Sequence, residues 1–89
     1  MLIRTQNKRF IVNTDNIVYM GISAIDSSLF ISCSGESELD LGYYEEKESF
    51  RILQDIQDKM LDKTYKTYKI YQMPNEKEVY YKENKDVKN

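Results

Sequence analysis

The sequence predicts a single α+β domain, in which one amphipathic helix packs on an antiparallel sheet of about five to six strands that could curl toward a barrel-like form. Three observations carry this prediction. Short β-type runs, separated by hairpin-length turn clusters, fill residues 1–35. Residues 36–41 alternate acidic with apolar or small side chains, which is typical of a half-buried strand. From residue 45 the apolar residues recur every three to four positions, which indicates a helix.

Four strands are predicted ahead of residues 36–41. They are 2–6, 8–12, 17–24 and 29–33. The turn clusters between them are rich in Asn, Asp and Ser, whose side chains can hydrogen-bond to their own backbone. Gly21 lies inside the third run, where a glycine predicts a bulge or the close approach of another backbone.

The helix is predicted over 46–63, because acidic residues fill its first turn and lysines its last, as the helix macrodipole favours. Its sheet-facing side is predicted to carry Phe50, Leu53, Ile56 or Gln57, and Met60. A sixth strand is predicted at about 66–72, where Tyr, Thr and Ile are enriched, and it stops before Pro74. The domain therefore covers 1–74, and the charged residues 75–89 are predicted to form a mobile tail.

Composition limits the possible functions of this 89-residue chain. Its 13 basic and 15 acidic residues give a net charge of −2, which disfavours bulk electrostatic affinity for nucleic acid or for an anionic membrane. Cys33 is the only cysteine, so no intramolecular disulfide can form, and a cytoplasmic location is expected. The apolar runs are too short to cross a bilayer, and the start of the chain lacks the pattern of a signal peptide.

The sequence does not predict an enzyme, a metal site or a cofactor. It contains no histidine, which removes the usual general base and the commonest transition-metal ligand. Cys33 is interpreted as a small buried residue, since no histidine is present to activate its thiol. Glu36, Glu38 and Asp40 could bind calcium, but a flat row of carboxylates is a poor cage, and a solvated strand face is the favoured interpretation.

The eight tyrosines favour a protein-binding module, because tyrosine is enriched at protein interfaces. A strand that follows the helix is expected at a sheet edge, and an edge can accept a strand from another protein or from a second copy of the chain. The expected partner is therefore a protein, with a homodimer as the alternative. The candidate partner-binding residues are Tyr65, Tyr68, Tyr71, Tyr80 and Tyr81.

An alternative function is nucleic-acid binding through residues 59–71, where lysines are interleaved with tyrosines. Single-stranded nucleic acid binds to cations and to rings on which bases stack. The candidate phosphate-contacting residues are Lys59, Lys63, Lys66 and Lys69. This alternative is disfavoured, because lysines in a last helical turn also complement the helix dipole, and the segment has no arginine.

Three short motifs resemble a family of small uncharacterised Firmicute proteins that are frequent in prophages and mobile elements. The motifs are Arg4-Thr-Gln-Asn-Lys8, Leu41-Gly-Tyr-Tyr44 before the helix, and Tyr71-Gln-Met-Pro74 after it. The resemblance covers about residues 1–74 and implies a β-meander followed by a helix and a terminal strand. It implies no catalytic residue. It suggests a phage- or mobile-element-linked accessory protein. A binding module in that context is expected to have a regulatory or anti-defence role.

Overall fold

The computed structural model describes residues 1–35, 37–62 and 69–75 of the chain. The strands in this part are β1 (Leu2–Arg4), β2 (Ile11–Asn13), β3 (Ile17–Ile22), β4 (Leu29–Cys33), β5 (Leu39–Gly42) and β6 (Ile70–Gln72). The helix α1 spans Glu46–Leu61, and a short 3₁₀ helix, Thr14–Asn16, connects β2 to β3. The predicted α+β class, with about six strands and one helix, is confirmed. Of the predicted tail, only Asn75 lies within the described residues.

The strands form two sheets rather than the single antiparallel sheet that was predicted. The first sheet has the order β2-β1-β6, with β1 antiparallel to β2 and parallel to β6. The second sheet has the order β3-β4-β5 and is antiparallel throughout. Within the described residues the strands do not close into a barrel. The 3₁₀ helix separates β2 from β3, and α1 returns the chain so that β6 can run in the same direction as β1.

One hydrophobic core joins the two sheets and the helix. Its buried members are Ile3, Leu29, Ile31, Leu41, Tyr44, Ile52, Ile56, Tyr71 and Met73. The strands β1, β4, β5 and β6 each contribute at least one buried side chain to this core. The strands β2 and β3 contribute side chains that are partly buried. The described strands and the helix therefore share one cluster of buried side chains.

The predicted helix is confirmed, and its buried face agrees with the prediction in part, since Ile56 is buried and Leu53 is partly buried against the core. Phe50 is 57% exposed and Met60 is also exposed, whereas Ile52 and Ile56 are buried. The buried side also carries Ser49, whose hydroxyl donates a hydrogen bond to the carbonyl of Ser27. The apolar spacing therefore placed Leu53 and Ile56 correctly, but it put Phe50 and Met60 on the buried side and missed Ile52. Among the described residues, no helix is long and apolar enough to cross a membrane.

Candidate functional site

Most of the sequence-predicted site residues lie outside the described part of the chain. These are Tyr65, Tyr68, Tyr80, Tyr81, Lys63 and Lys66. Lys69 is exposed directly before β6. The predicted edge position of the last strand is confirmed within the described strands, where β6 is the outermost strand of its sheet.

Tyr71 lies in the core rather than on the surface that the sequence suggested. It is only 9% exposed, and its hydroxyl donates a 2.8 Å hydrogen bond to Oδ2 of Asp55. Nζ of Lys59 lies 3.2 Å from the other oxygen of Asp55 and 6.0 Å from the centroid of the Tyr71 ring. Asp55 therefore connects β6 to α1. It also forms an ion pair with Lys59, the predicted phosphate-contacting lysine that lies in the described part of the helix.

A tyrosine–carboxylate face, formed by Tyr19, Phe30, Glu38, Asp40 and Tyr43, covers the outer side of the antiparallel sheet. Tyr19 is 50% exposed and Tyr43 is 52% exposed. Phe30 pairs with Asp40 across β4 and β5, so the two side chains share this outer side. The face presents half-exposed tyrosine rings, a residue type that is enriched at protein interfaces.

A β-bulge in β3 places Tyr19 on this face. Ile17 pairs with Cys33 and Tyr19 pairs with Ser32, so the register shifts between them and Val18 is the extra residue. Ile17 packs against the core, and strict alternation would have turned Tyr19 inward as well. The bulge instead brings the Tyr19 ring edge-on to Phe30, with centroids 6.2 Å apart and planes at 87°.

Gly21 allows the Phe30 ring to lie flat on the outer side of the sheet. Gly21 pairs with Phe30 across the strands, and a Cβ at Gly21 would lie 3.1 Å from Cζ of the Phe30 ring. The group that approaches Gly21 is thus an aromatic ring, not the backbone that the sequence predicted. The predicted bulge lies earlier in the strand, at Val18.

Each tyrosine of the face is hydrogen-bonded to a carboxylate. The hydroxyl of Tyr19 donates to Oε2 of Glu38 at 2.9 Å, and that of Tyr43 donates to Oδ2 of Asp40 at 2.7 Å. The bond to Asp40 raises the pKa of Tyr43, and the negative charges of Asp40 and Asp26 raise it further. Tyr43 is therefore a neutral hydrogen-bond donor around neutral pH.

Asp26 adds a third negative charge beside the face. Hydrogen bonds from the side chain and backbone of Ser28 hold the pKa of Asp26 below its usual value, so Asp26 is ionised at neutral pH. Among the described residues, Asp26, Glu38 and Asp40 form no ion pair with a lysine or an arginine. The face therefore presents a negative charge that the described part of the chain does not neutralise.

Gln6 holds the backbone of Tyr43 in place. Its backbone N–H donates to the carbonyl of Leu41 at 2.8 Å, and its side chain accepts from the N–H of Tyr43 at 2.9 Å. The same side chain donates to the carbonyl of Tyr43 at 3.3 Å. These bonds join the end of β1 to the end of β5, so the position of Tyr43 depends on both sheets.

The three motifs singled out in the sequence meet around this contact. Beside the Gln6 bonds to Leu41 and Tyr43, the N–H of Met73 donates to the carbonyl of Arg4 at 3.0 Å. The side chain of Gln72 donates to the carbonyl of Thr5 at 3.1 Å. The hydroxyl of Tyr44 donates to the carbonyl of Pro74. The motifs thus stabilise the junction of the two sheets, which is a structural role.

A second surface feature is an open groove of about 610 Å³ between β2 and the antiparallel sheet. It includes the exposed side chains of Phe10, Ile11 and Val18 and the half-buried Cys33. Cys33 was predicted to be buried, and it is instead partly accessible at the end of β4. The groove can offer apolar contact area, but the chain has no histidine that could activate the thiol.

The sequence interpretation missed Tyr19, Phe30 and Tyr43 as site residues. Glu38 and Asp40 were correctly predicted to share a solvated strand face. No local pattern in the sequence could show that Val18 forms a bulge, or that Tyr43 turns outward while Tyr44 turns into the core.

Comparisons with protein-family models, with curated proteins and with solved structures gave no match to this chain. The resemblance to the Firmicute family therefore stays a prediction, and the functional argument depends on the described residues.

Proposed function

We propose that this protein is a non-enzymatic protein-binding module, and that the tyrosine–carboxylate face is its binding surface. The observation that carries the proposal is the pair of half-exposed tyrosines, Tyr19 and Tyr43, held by hydrogen bonds on a three-stranded sheet. Tyrosine side chains contribute much of the binding energy at interfaces, and rings that are already fixed lose little conformational entropy on binding.

The sequence suggests a cellular location and an origin for the partner. A single cysteine suits a cytoplasmic protein, and the resemblance to prophage and mobile-element proteins suggests a partner of phage or bacterial origin. On this proposal the module acts by occupying a surface of that partner, which fits a regulatory or anti-defence role.

The nucleic-acid alternative gains no support from the described residues. Lys59 is bonded to Asp55, and the exposed rings of Tyr19 and Tyr43 are hydrogen-bonded to carboxylates, which repel phosphate. A protein partner is the better match for rings in such surroundings.

Affinity capture with the tagged protein from a Firmicute lysate tests the proposal. The wild type is compared with the double variant Tyr19→Ser/Tyr43→Ser, and Phe50→Ser is the matched control because Phe50 is equally exposed on the helix. We expect a protein that is retained after nuclease treatment, lost with the double variant and kept with the control. Equal capture by all three folded proteins would overturn the proposal, and capture that nuclease abolishes would support the nucleic-acid alternative.

A further inference from the structure

The spacing of charges on the tyrosine–carboxylate face identifies the kind of partner that would fit it. Glu38 and Asp40 are two residues apart on one side of an extended segment, so their carboxylates project about 6–7 Å apart along it. Each carboxylate is paired with a tyrosine ring, Glu38 with Tyr19 and Asp40 with Tyr43. The face thus repeats one unit, a carboxylate beside an aromatic ring, along the direction of β5.

This repeated unit is suited to arginine. A guanidinium group can hydrogen-bond to a carboxylate through one edge while its flat surface stacks on an aromatic ring. Each tyrosine hydroxyl uses one carboxylate oxygen, Oε2 of Glu38 or Oδ2 of Asp40, which leaves the second oxygen as a further acceptor. Lysine carries a compact charge and lacks the planar set of donors, so it would bind less tightly to a carboxylate and a ring together.

The surrounding charge favours a cation as well. Asp26 is ionised and its negative charge acts on Tyr43, and Asp26, Glu38 and Asp40 form no ion pair within the described residues. A cationic segment would therefore be attracted to this side of the sheet, with a dependence on ionic strength.

We infer that the tyrosine–carboxylate face binds an extended segment of another protein that carries two arginines two residues apart. In an extended segment such arginines point to the same side, so one can reach Glu38 and Tyr19 while the other reaches Asp40 and Tyr43. This inference rests on the proposed function and adds the chemistry of the partner.

NMR titration of the full chain, with labelled tyrosine rings, tests the inference. The probes are blocked peptides of glycine and serine with two arginines that are two residues apart, two arginines that are adjacent, two lysines, or two glutamines. We expect saturable shifts of the Tyr19 and Tyr43 ring signals with the first peptide, and binding about threefold or more weaker with the adjacent-arginine and lysine peptides. The glutamine peptide should give no saturable shift.

Charge-neutral variants of the same shape provide the second measurement. Asp40→Asn and Glu38→Gln should each weaken the binding of the first peptide by about threefold to tenfold. Asp15→Asn is the matched control, because Asp15 is an exposed carboxylate outside the face, and it should change the affinity by less than about twofold. Raising the salt concentration to about 0.5 M should weaken the binding of the wild type.

The outcomes separate the inference from the proposed function. Equal binding of arginine and glutamine peptides, or no saturable shift, would overturn the arginine inference, while capture that still needs Tyr19 and Tyr43 would leave the binding module in place. Ring shifts that arise only from dissociation of a dimer, seen by sedimentation, would make a second copy the occupant. Shifts caused by a single-stranded oligonucleotide instead would overturn both.

Discussion

Gln6 holds Tyr43 with both ends of its side-chain amide. Oε1 accepts the N–H of Tyr43 at 2.9 Å, and Nε2 donates to the carbonyl of the same residue at 3.3 Å. This is the pattern by which one strand residue pairs with another, made here by a side chain across the junction of two sheets. The junction and the candidate site are thus coupled, because the residue that joins the two sheets also holds the backbone of Tyr43, a residue of the tyrosine–carboxylate face.

Replacing Gln6 by alanine should both destabilise the protein and loosen the site. The variant loses two side-chain hydrogen bonds, and we expect a loss of about 1–2 kcal/mol in the free energy of unfolding, measured with urea. Tyr43 should also become more mobile, which NMR relaxation of its ring would report. Gln57→Ala removes an exposed glutamine of the helix and should leave both readouts nearly unchanged. An equal effect of both substitutions would show that the Gln6 contacts contribute nothing specific.

The buried side of the helix can be checked by two truncations. Ile56 is 1% exposed, so Ile56→Ala should cost about 2–5 kcal/mol, whereas Phe50→Ala, at an exposed position, should change stability by less than about 1 kcal/mol. Thermal and urea unfolding of both variants would measure the difference. The reverse order would mean that the helix turns its other side to the sheets.

Tyr43 should ionise at higher pH than an ordinary tyrosine. Its hydrogen bond to Asp40 favours the neutral phenol, and its pKa lies above the ordinary value of 10.0. The resulting stabilisation is fully present below that ordinary value and is lost as the pH rises through the pKa of folded Tyr43. Site-specific NMR titration should show this shift in the wild type and a smaller one in Asp40→Asn. An unchanged pKa in Asp40→Asn would assign the shift to other groups.

The elements of the fold followed from the sequence because they depend on local signals. The alternation around Leu39–Gly42, the turn clusters and the helical period each specify one segment through its own residues. The division into two sheets depends on contacts between distant residues, above all the parallel pairing of Ile3 with Tyr71. No local pattern encodes such a pairing, and five short strands joined by hairpin-length links made a single meander the simpler prediction.

The candidate site was harder to predict because it depends on exceptions to periodicity. The bulge at Val18 turns Tyr19 outward, and neighbouring Tyr43 and Tyr44 have opposite environments although they are identical side chains. The solvated positions of Glu38 and Asp40 obeyed strict alternation and were predicted. The partner-binding tyrosines predicted from the sequence belong to the last strand and the tail. Of these, Tyr71 lies in the core.

Tyr71→Phe tests whether Tyr71 contributes to stability rather than to binding. The phenylalanine keeps the ring in the core but loses the hydrogen bond to Asp55, so we expect a loss of about 1 kcal/mol in the free energy of unfolding. Capture of a protein partner should be unchanged, in contrast to the double variant at Tyr19 and Tyr43. Reduced capture by the folded Tyr71→Phe protein would return Tyr71 to the binding surface.

Gly42→Ala should be more harmful than Gly21→Ala, although each adds one methyl group. A Cβ at Gly42 would lie 2.7 Å from Cε2 of the Tyr44 ring, and that ring is buried and bonded through its hydroxyl to the carbonyl of Pro74. Tyr44 can move away only by losing core packing or that hydrogen bond, so we expect a cost of about 2–3 kcal/mol.

At Gly21 the added Cβ would lie 3.1 Å from the tip of the Phe30 ring, which is on the outer side of the sheet and can tilt into solvent. Gly21→Ala should therefore cost less than about 1 kcal/mol. It should nevertheless disturb the tyrosine–carboxylate face, because Phe30 packs against Tyr19. Urea unfolding of the two variants, together with the ring signals of Tyr19, distinguishes the effects. Equal costs would show that Tyr44 is free to move, and the core around it would then be looser than its burial indicates.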